Sequence, residues 1–202
     1  MLEQMKSRLA LAATLGGAVE RILDDIVALH GAEFGDLQLA VDDHWLALVA
    51  QRGFNPHFLI SFRRLSKASG TSCARAFASG RAVVVRDVSQ DENFRPYMDI
   101  VEHCGYRSVQ STPLVGRDGK CVGVVSTHFA NVHEPTAIEM STLVRYGQVA
   151  ADTISTLLAK REEAVGAQSD LLFEQMLTRT EIARAAAQRA AANLLAGNER
   201  GA

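Results

Sequence analysis

The sequence predicts an α+β fold, helices packed around an antiparallel β-sheet, on three observations. Apolar residues recur at helical spacing through the first 30 residues and again beyond Pro135. Between these stretches lie short β-rich segments in pairs, each pair joined by turn-forming residues. Hairpins in the middle and helices grouped at the ends are the signature of a sheet with helical layers rather than of alternating βαβ units.

The first helix is expected from Leu2 to His30, with Met5, Leu9, Ala12, Gly16, Val19, Leu23 and Ile26 forming a seam in steps of four and three. Gly16-Gly17 weakens it and marks either a close helix crossing or a break. From Asp36 the period changes to two. Leu37, Leu39 and Val41 alternate with Gln38 and Ala40, Asp42-Asp43 supplies a turn, and Trp45 to Ala50 returns as a second strand.

A loop over Gly53 to Pro56 leads into a short helix from Pro56 to Leu65 that carries Phe58, Leu59 and Phe62. A second short helix, Ser72 to Ala78, is expected to stop at Gly80, followed by a compact strand from Ala82 to Val85. Asp91 to Cys104 reads as a mostly helical link that Pro96 bends or splits. Strands from Arg107 to Leu114 and from Cys121 to Phe129 flank Gly116-Arg117-Asp118-Gly119, a hairpin turn. Thr136 with Glu139 is a capping box, so a helix is expected from there to about Val165, with Leu143, Ala150, Ile154 and Leu157 on its seam. Gly166 is expected to stop that helix and Ser169 to cap another that runs through Leu195. The organisation predicted is a folded unit over residues 1–165 and an alanine-rich helical tail over 166–202, with Arg179, Arg184 and Arg189 at five-residue steps.

Composition narrows the function classes. Apolar residues make up 48% and charged residues 22% of the chain, ordinary for a soluble globular protein. The net charge of -2 disfavours nucleic-acid binding by phosphate neutralisation, and the cluster Arg63, Arg64 and Lys67 reads as a solvated helix face. The start of the chain lacks a secretory pattern, and no apolar run approaches the ~20 residues of a membrane span. The cysteines, Cys73, Cys104 and Cys121, are odd in number and widely spaced, which suits a reducing cytoplasm. A cytoplasmic protein with neither a membrane nor a nucleic-acid partner is the expectation.

Several blocks, in order, carry a resemblance. They are Gly35-Asp36-Leu37-Gln38-Leu39, Leu48 to Phe54, Gly70-Thr71-Ser72-Cys73-Ala74-Arg75-Ala76, Gly80 to Val88, Gly105 to Leu114, and Gly123 to Phe129. This ordered set, from about Arg21 to Leu158, resembles the GAF domains of bacterial signalling proteins. The resemblance implies an antiparallel sheet of five or six strands, with the N- and C-terminal helices on one face and the short helices and loops between Gly53 and Tyr106 on the other. Small ligands are then expected on the second face, and a homodimer through a bundle of the terminal helices, as the two apolar seams also suggest. The implied function is that of a sensor rather than an enzyme: a small-molecule-binding regulatory protein that signals through its terminal helices to a separate partner.

The expected pocket is defined by location. Phe62, Cys73, Arg75, Phe94, Tyr97 and Met98 ring it from the short helices, and Gln110, Thr112 and Thr127 supply polar groups from the sheet if strand alternation turns them to that face. Arg75 would meet an anionic ligand or pair with a neighbouring carboxylate. The ligand, a small organic molecule or an anion, is not specified by any motif.

Two alternatives accompany this reading. One is an enzyme like the free methionine-R-sulfoxide reductases of the same family, with Cys73 and Cys104 as the thiols. The acidic residues of that branch correspond here to Ser126 and His128, which removes the acid the chemistry needs. The other is a ligand-free module used for dimerisation. Covalent bilin attachment is disfavoured, because His103-Cys104 has the wrong order and place. None of the histidines His30, His44, His57, His103, His128 and His133 is paired at helical metal-ligand spacing, so metal ligation is set aside. Haem is disfavoured too, with His103 or His128 as its axial candidate.

Overall fold

The computed structural model describes residues 1–159 and 165–198. Its element order is α1 (Leu2–Ala10), α2 (Leu15–His30), β1 (Phe34–Ala40), β2 (Trp45–Arg52), α3 (Pro56–Ser61), β3 (Arg64–Ser66), α4 (Ser72–Ser79) and β4 (Val83–Val85). Two 3₁₀ turns (Val88–Gln90 and Glu92–Tyr97) lead to α5 (Met98–Cys104), β5 (Ser108–Val115), β6 (Cys121–Phe129), α6 (Ala137–Ala159) and α7 (Val165–Asn198).

The strands form one antiparallel sheet in the order β3-β2-β1-β6-β5-β4. Both faces are covered, which is why β1, β5 and β6 are buried along almost their whole length instead of alternating between core and solvent. On one face Leu37, Leu39, Leu114 and Val125 pack against Leu23 and Ile26 of α2 and Tyr146, Ala150 and Ile154 of α6, with Met5 and Leu9 of α1. On the other, Leu48, Val109 and Val124 meet Phe58 and Leu59 of α3, Ala74 and Phe77 of α4, and Phe94.

The single helix expected from Leu2 to His30 is two. The break falls upstream of the glycine pair, where Thr14 takes extended backbone and its hydroxyl accepts a 3.1 Å hydrogen bond from the Gly17 amide, an N-cap that starts α2. Gly16 instead serves a close crossing: a Cβ there would lie 3.2 Å from Leu172 of α7. The helix expected from Pro56 to Leu65 also stops early, at Ser61, and Arg64–Ser66 pairs with Trp45–Ala47 as the edge strand β3. Arg63 and Arg64 therefore do not line a helix face; they pair with Asp170 of α7 at 3.4 and 3.3 Å.

The capping box forms as expected. The Glu139 carboxylate accepts from the Thr136 amide at 2.7 Å, and the Thr136 hydroxyl accepts from the Glu139 amide at 3.2 Å. The expected end of that helix near Val165 involves residues 160–164, which lie outside the described ones, as do residues 199–202 of the expected tail. Gly166 and Ser169, expected to separate and cap helices, both lie within α7.

Helix α7 stands at the β2 edge of the sheet. Strand β3 pairs only with Trp45–Ala47, leaving the rest of that edge without a strand neighbour, and α7 packs along β2. Its side chains enter both layers: Leu172 joins the α1–α2–α6 side, whereas Phe173 and Met176 join the short-helix side.

Candidate functional site

The second face of the sheet carries polar side chains in a place where apolar ones would pack more cheaply. Leu37 and Leu39 face α2, so the period of two turns Asp36 and Gln38 toward the short helices. On β6 the same alternation puts Ser126 and His128 beside them. The His128 Nε2 lies 2.8 Å from Asp36 Oδ1, with both side chains buried. Ser126 pairs with Ser111 across β5 and β6, their hydroxyls 2.8 Å apart, and Ser111 Oγ donates to Ser72 Oγ at 2.9 Å, which links the sheet to the start of α4.

Aromatic rings enclose this polar strip. The His128 imidazole stands edge-on to Tyr106 (4.6 Å between centroids) and to Phe54 (4.9 Å). Phe58 stacks on Phe54 at 3.6 Å. Phe54 is aimed by the turn before it: Gly53 holds a φ of +80°, and a Cβ there would lie 2.6 Å from the Glu33 carbonyl oxygen, so glycine alone fits. Phe58 is presented by α3, whose N-cap Asn55 accepts from the Phe58 amide and whose first position is held by Pro56.

Asp36, Gln38, Phe58, Phe62, Cys73, Phe94, Tyr106 and His128 line a cavity of about 10 Å³, room for no more than a single water molecule. Two of its groups, Gln38 Oε1 and His128 Nδ1, are buried with no hydrogen-bond partner among the described residues. Buried polar groups without partners are uncommon, and two of them on one cavity wall make this a candidate site.

Of the residues expected to ring the pocket, Phe62, Cys73 and Phe94 line this cavity. Tyr97 and Met98 pack behind it, Tyr97 with its ring 5.8 Å from Phe62 and its hydroxyl donating to the Ser69 carbonyl at 3.0 Å. Arg75 turns away and pairs with Asp91 at 2.6 Å. Burial alone would raise the Asp91 carboxyl pKa, but the hydrogen bonds from Arg75 and Asn93 outweigh it and hold the pKa below the usual range.

Gln110, Thr112 and Thr127 lie on the opposite face, because the β5 and β6 alternation turns Ser111, Ser126 and His128 inward instead. Gln110 reaches Met140 of α6, and Thr127 Oγ1 lies 2.9 Å from His30 Nδ1 of α2. Thr112 Oγ1 is buried with no partner among the described residues. Asp36, Gln38, Phe58, Tyr106 and His128 were the residues missed. The signal for Asp36 and Gln38 was present in Asp36-Leu37-Gln38-Leu39: if Leu37 and Leu39 face one helical layer, the polar pair must face the other.

All three cysteines are free thiols. Burial, and after it the Asp36 charge, pushes the Cys73 thiol up to about 12, and burial pushes Cys104 up to about 11. A carboxylate does reach Cys73's cavity, from β1 rather than from β6, but it is engaged with His128. Of the two haem candidates, His128 Nε2 meets Asp36 at 2.8 Å and the exposed His103 Nδ1 lies 2.7 Å from the Asp99 carbonyl oxygen. Among the described residues no group of three His, Cys, Asp or Glu side chains is placed to hold a metal ion, and no helix is long and apolar enough to cross a membrane.

The GAF domain family matches residues 12–155, most of the chain, and the protein belongs to that family. Solved GAF structures share its fold at low sequence identity. The GAF domain of the Acinetobacter phosphoenolpyruvate-protein phosphotransferase is similar over 79% of this chain and 93% of its own, at 16% identity and a TM-score of 0.66. A domain of a putative two-component sensor histidine kinase protein from Sinorhizobium meliloti 1021 is similar over 74% and 97%, at 17% identity and 0.61. The free methionine-R-sulfoxide reductase of Neisseria meningitidis, solved in complex with its substrate, is similar over 79% and 89%, at 19% identity and 0.64. No curated protein matches the sequence significantly.

Proposed function

We propose that this GAF domain is a sensory module whose site between the sheet and α3, α4 and α5 takes a small organic ligand, neutral or cationic, and that it signals through its helices to a separate partner. The observation that carries this reading is the buried pair of unpartnered groups, Gln38 Oε1 and His128 Nδ1, set in aromatic walls beside Asp36. A ligand with N–H donors satisfies the Gln38 oxygen, and the rings of Phe58 and Tyr106 lie beside it to receive a flat ring. An anion is disfavoured. Arg75 turns away to Asp91, and among the described residues no arginine or lysine lines the cavity, so a buried negative charge would sit beside Asp36 without compensation.

The site is closed as it stands. An organic ligand must displace at least one ring, and Phe58 rides on α3, a helix of only 6 residues. Binding then biases the domain toward an open state to the extent that the ligand prefers it. Dimerisation through the helical face is part of the same proposal, with Leu11 of the α1–α2 connection and Ile138 and Val144 of α6 as its exposed apolar residues. The filled cavity favours one second reading, a GAF domain that binds no ligand and serves for dimerisation alone. The reductase reading is weaker, since both thiols are held protonated at neutral pH.

Native mass spectrometry of the purified protein against its denatured mass separates these readings. A dimer with a discrete extra mass per subunit, released as a neutral or basic molecule, supports the sensor. A bare dimer favours the dimerisation module, and an acidic released molecule contradicts the ligand class.

A further inference from the structure

The family match ends at residue 155, and α7 lies wholly beyond it. It is nonetheless built into the fold. Phe173 and Met176 are only 2% and 5% exposed and belong to the same apolar cluster as Phe54, Phe58 and Phe62. The Arg63 guanidinium, next in sequence to Phe62, lies 4.8 Å from the Phe173 ring centroid, and Gln51 Nε2 donates to Thr180 Oγ1 at 2.9 Å. The ion pairs of Asp170 with Arg63 and Arg64 are half-exposed and add little. What seats α7 is mainly the insertion of Phe173 and Met176 beside the aromatic wall of the ligand site.

We infer that α7 is a latch whose seat is built from the same side chains that close the site, so that opening the site and docking α7 compete. The inference rests on the reading of that site as the ligand site. Besides the sheet, α3 packs against α5 and α7. Its N-cap Asn55 donates to the His103 carbonyl at 3.2 Å, which ties α3 to α5, so the two move together and α7 is the neighbour left behind. The cavity has no space for an organic molecule while its rings stay in place, and Phe58, on the shortest of the helices that cover it, is the ring that yields in this scheme, so the occupant shifts α3. Shifting α3 removes one side of the Phe173 and Met176 seat. A released α7 uncovers the β2 edge and presents an apolar stripe of Leu172, Phe173, Met176 and Leu177, the kind of face that an apolar groove on a partner protein receives. Linkage requires the converse: unseating α7 makes the site easier to open.

The converse is testable without knowing the ligand, because Cys73 lines the cavity and reports its opening. Cys73, Cys104 and Cys121 are labelled with N-ethylmaleimide at pH 8 and followed site by site by peptide mass spectrometry. Backbone hydrogen exchange over residues 170–182 is measured in parallel. Phe173→Ala/Met176→Ala in the full chain is expected to strip protection from α7 and to speed Cys73 labelling at least ~10-fold, with Cys121 unchanged. Met176→Ala alone, expected to act in the same direction with a smaller effect, serves if the double variant does not fold. Loss of α7 protection without faster Cys73 labelling overturns the inference, as does equal acceleration at Cys121, which is general loosening. Unchanged α7 protection overturns it as well, since the two side chains then do not seat the helix. A protein that shows the coupling but carries no ligand by native mass spectrometry keeps the latch and loses the sensor reading, so the two fail separately.

Discussion

Asp36 Oδ1 of β1 and His128 Nε2 of β6 lie 2.8 Å apart in a hydrogen bond beneath the short helices, with side chains 3% and 7% exposed. The register of the two strands sets the pair diagonally, Asp36 standing opposite Ser126 and Phe34 opposite His128. A buried carboxylate needs a partner, and this one has its partner on the neighbouring strand.

Removing one member is therefore expected to cost more than removing both. His128→Leu leaves the Asp36 carboxylate buried and uncompensated, and urea unfolding should show a loss of about 3–5 kcal/mol. Asp36→Leu/His128→Leu should recover much of that loss. A double variant as unstable as the single one would show that the pair is not the relevant interaction.

Alkaline pH is expected to destabilise the fold through Cys73. The native thiol, pushed up to about 12, keeps its proton, whereas an unfolded thiol releases it near 9.0. Between those values the unfolded chain binds fewer protons, so stability falls as pH rises, with a slope on the order of 1 kcal/mol per pH unit. Urea midpoints from pH 8 to 11 check this, and Cys73→Ala should flatten the decline.

Acid acts through the Asp91 carboxyl, whose pKa is lowered in the fold. Burial opposes the shift, and the Arg75 and Asn93 hydrogen bonds overcome it. The stabilisation is present above the carboxyl's unfolded pKa and is lost as pH falls through the folded value. Arg75→Met should lower stability at neutral pH and make it less sensitive to acid, measured by thermal unfolding between pH 2 and 6.

The helical layer has its own buried polar junction. Tyr146 of α6 donates its hydroxyl to Asp25 Oδ2 of α2 at 2.7 Å, and Arg8 of α1 meets the other carboxylate oxygen at 2.9 Å. Tyr146→Phe removes a hydrogen bond to a charged group and should cost about 1.5–3 kcal/mol in urea unfolding. Arg8→Ala is expected to loosen α1 first, which hydrogen exchange over Leu2–Ala10 would show.

The fold was largely legible because its signals are local. The period of two in Leu37 and Leu39, the Gly116 to Gly119 turn, and the Thr136 and Glu139 box each fix an element without reference to the rest of the chain. The site was legible in part. Phe62, Cys73 and Phe94 follow from their place on the short connections. Asp36 and His128 needed the knowledge that both faces of the sheet are buried, and Gln110 and Thr127 were set on the wrong face because a one-residue choice of phase inverts every side chain on a strand. The break before Thr14 and the strand at Arg64–Ser66 escaped for a related reason: a cap and an edge pairing with Trp45–Ala47 override the periodicity that spans them.

The most direct test of the site is a ¹H–¹⁵N NMR titration of the protein with three flat probes of different charge: benzimidazole, benzamidine and benzoate. The account predicts that benzimidazole or benzamidine shifts the Gln38 side-chain amide together with backbone signals of Phe58, Cys73 and His128, and that benzoate leaves them in place. Shifts confined to benzoate, or no response at these residues to any probe, would contradict it.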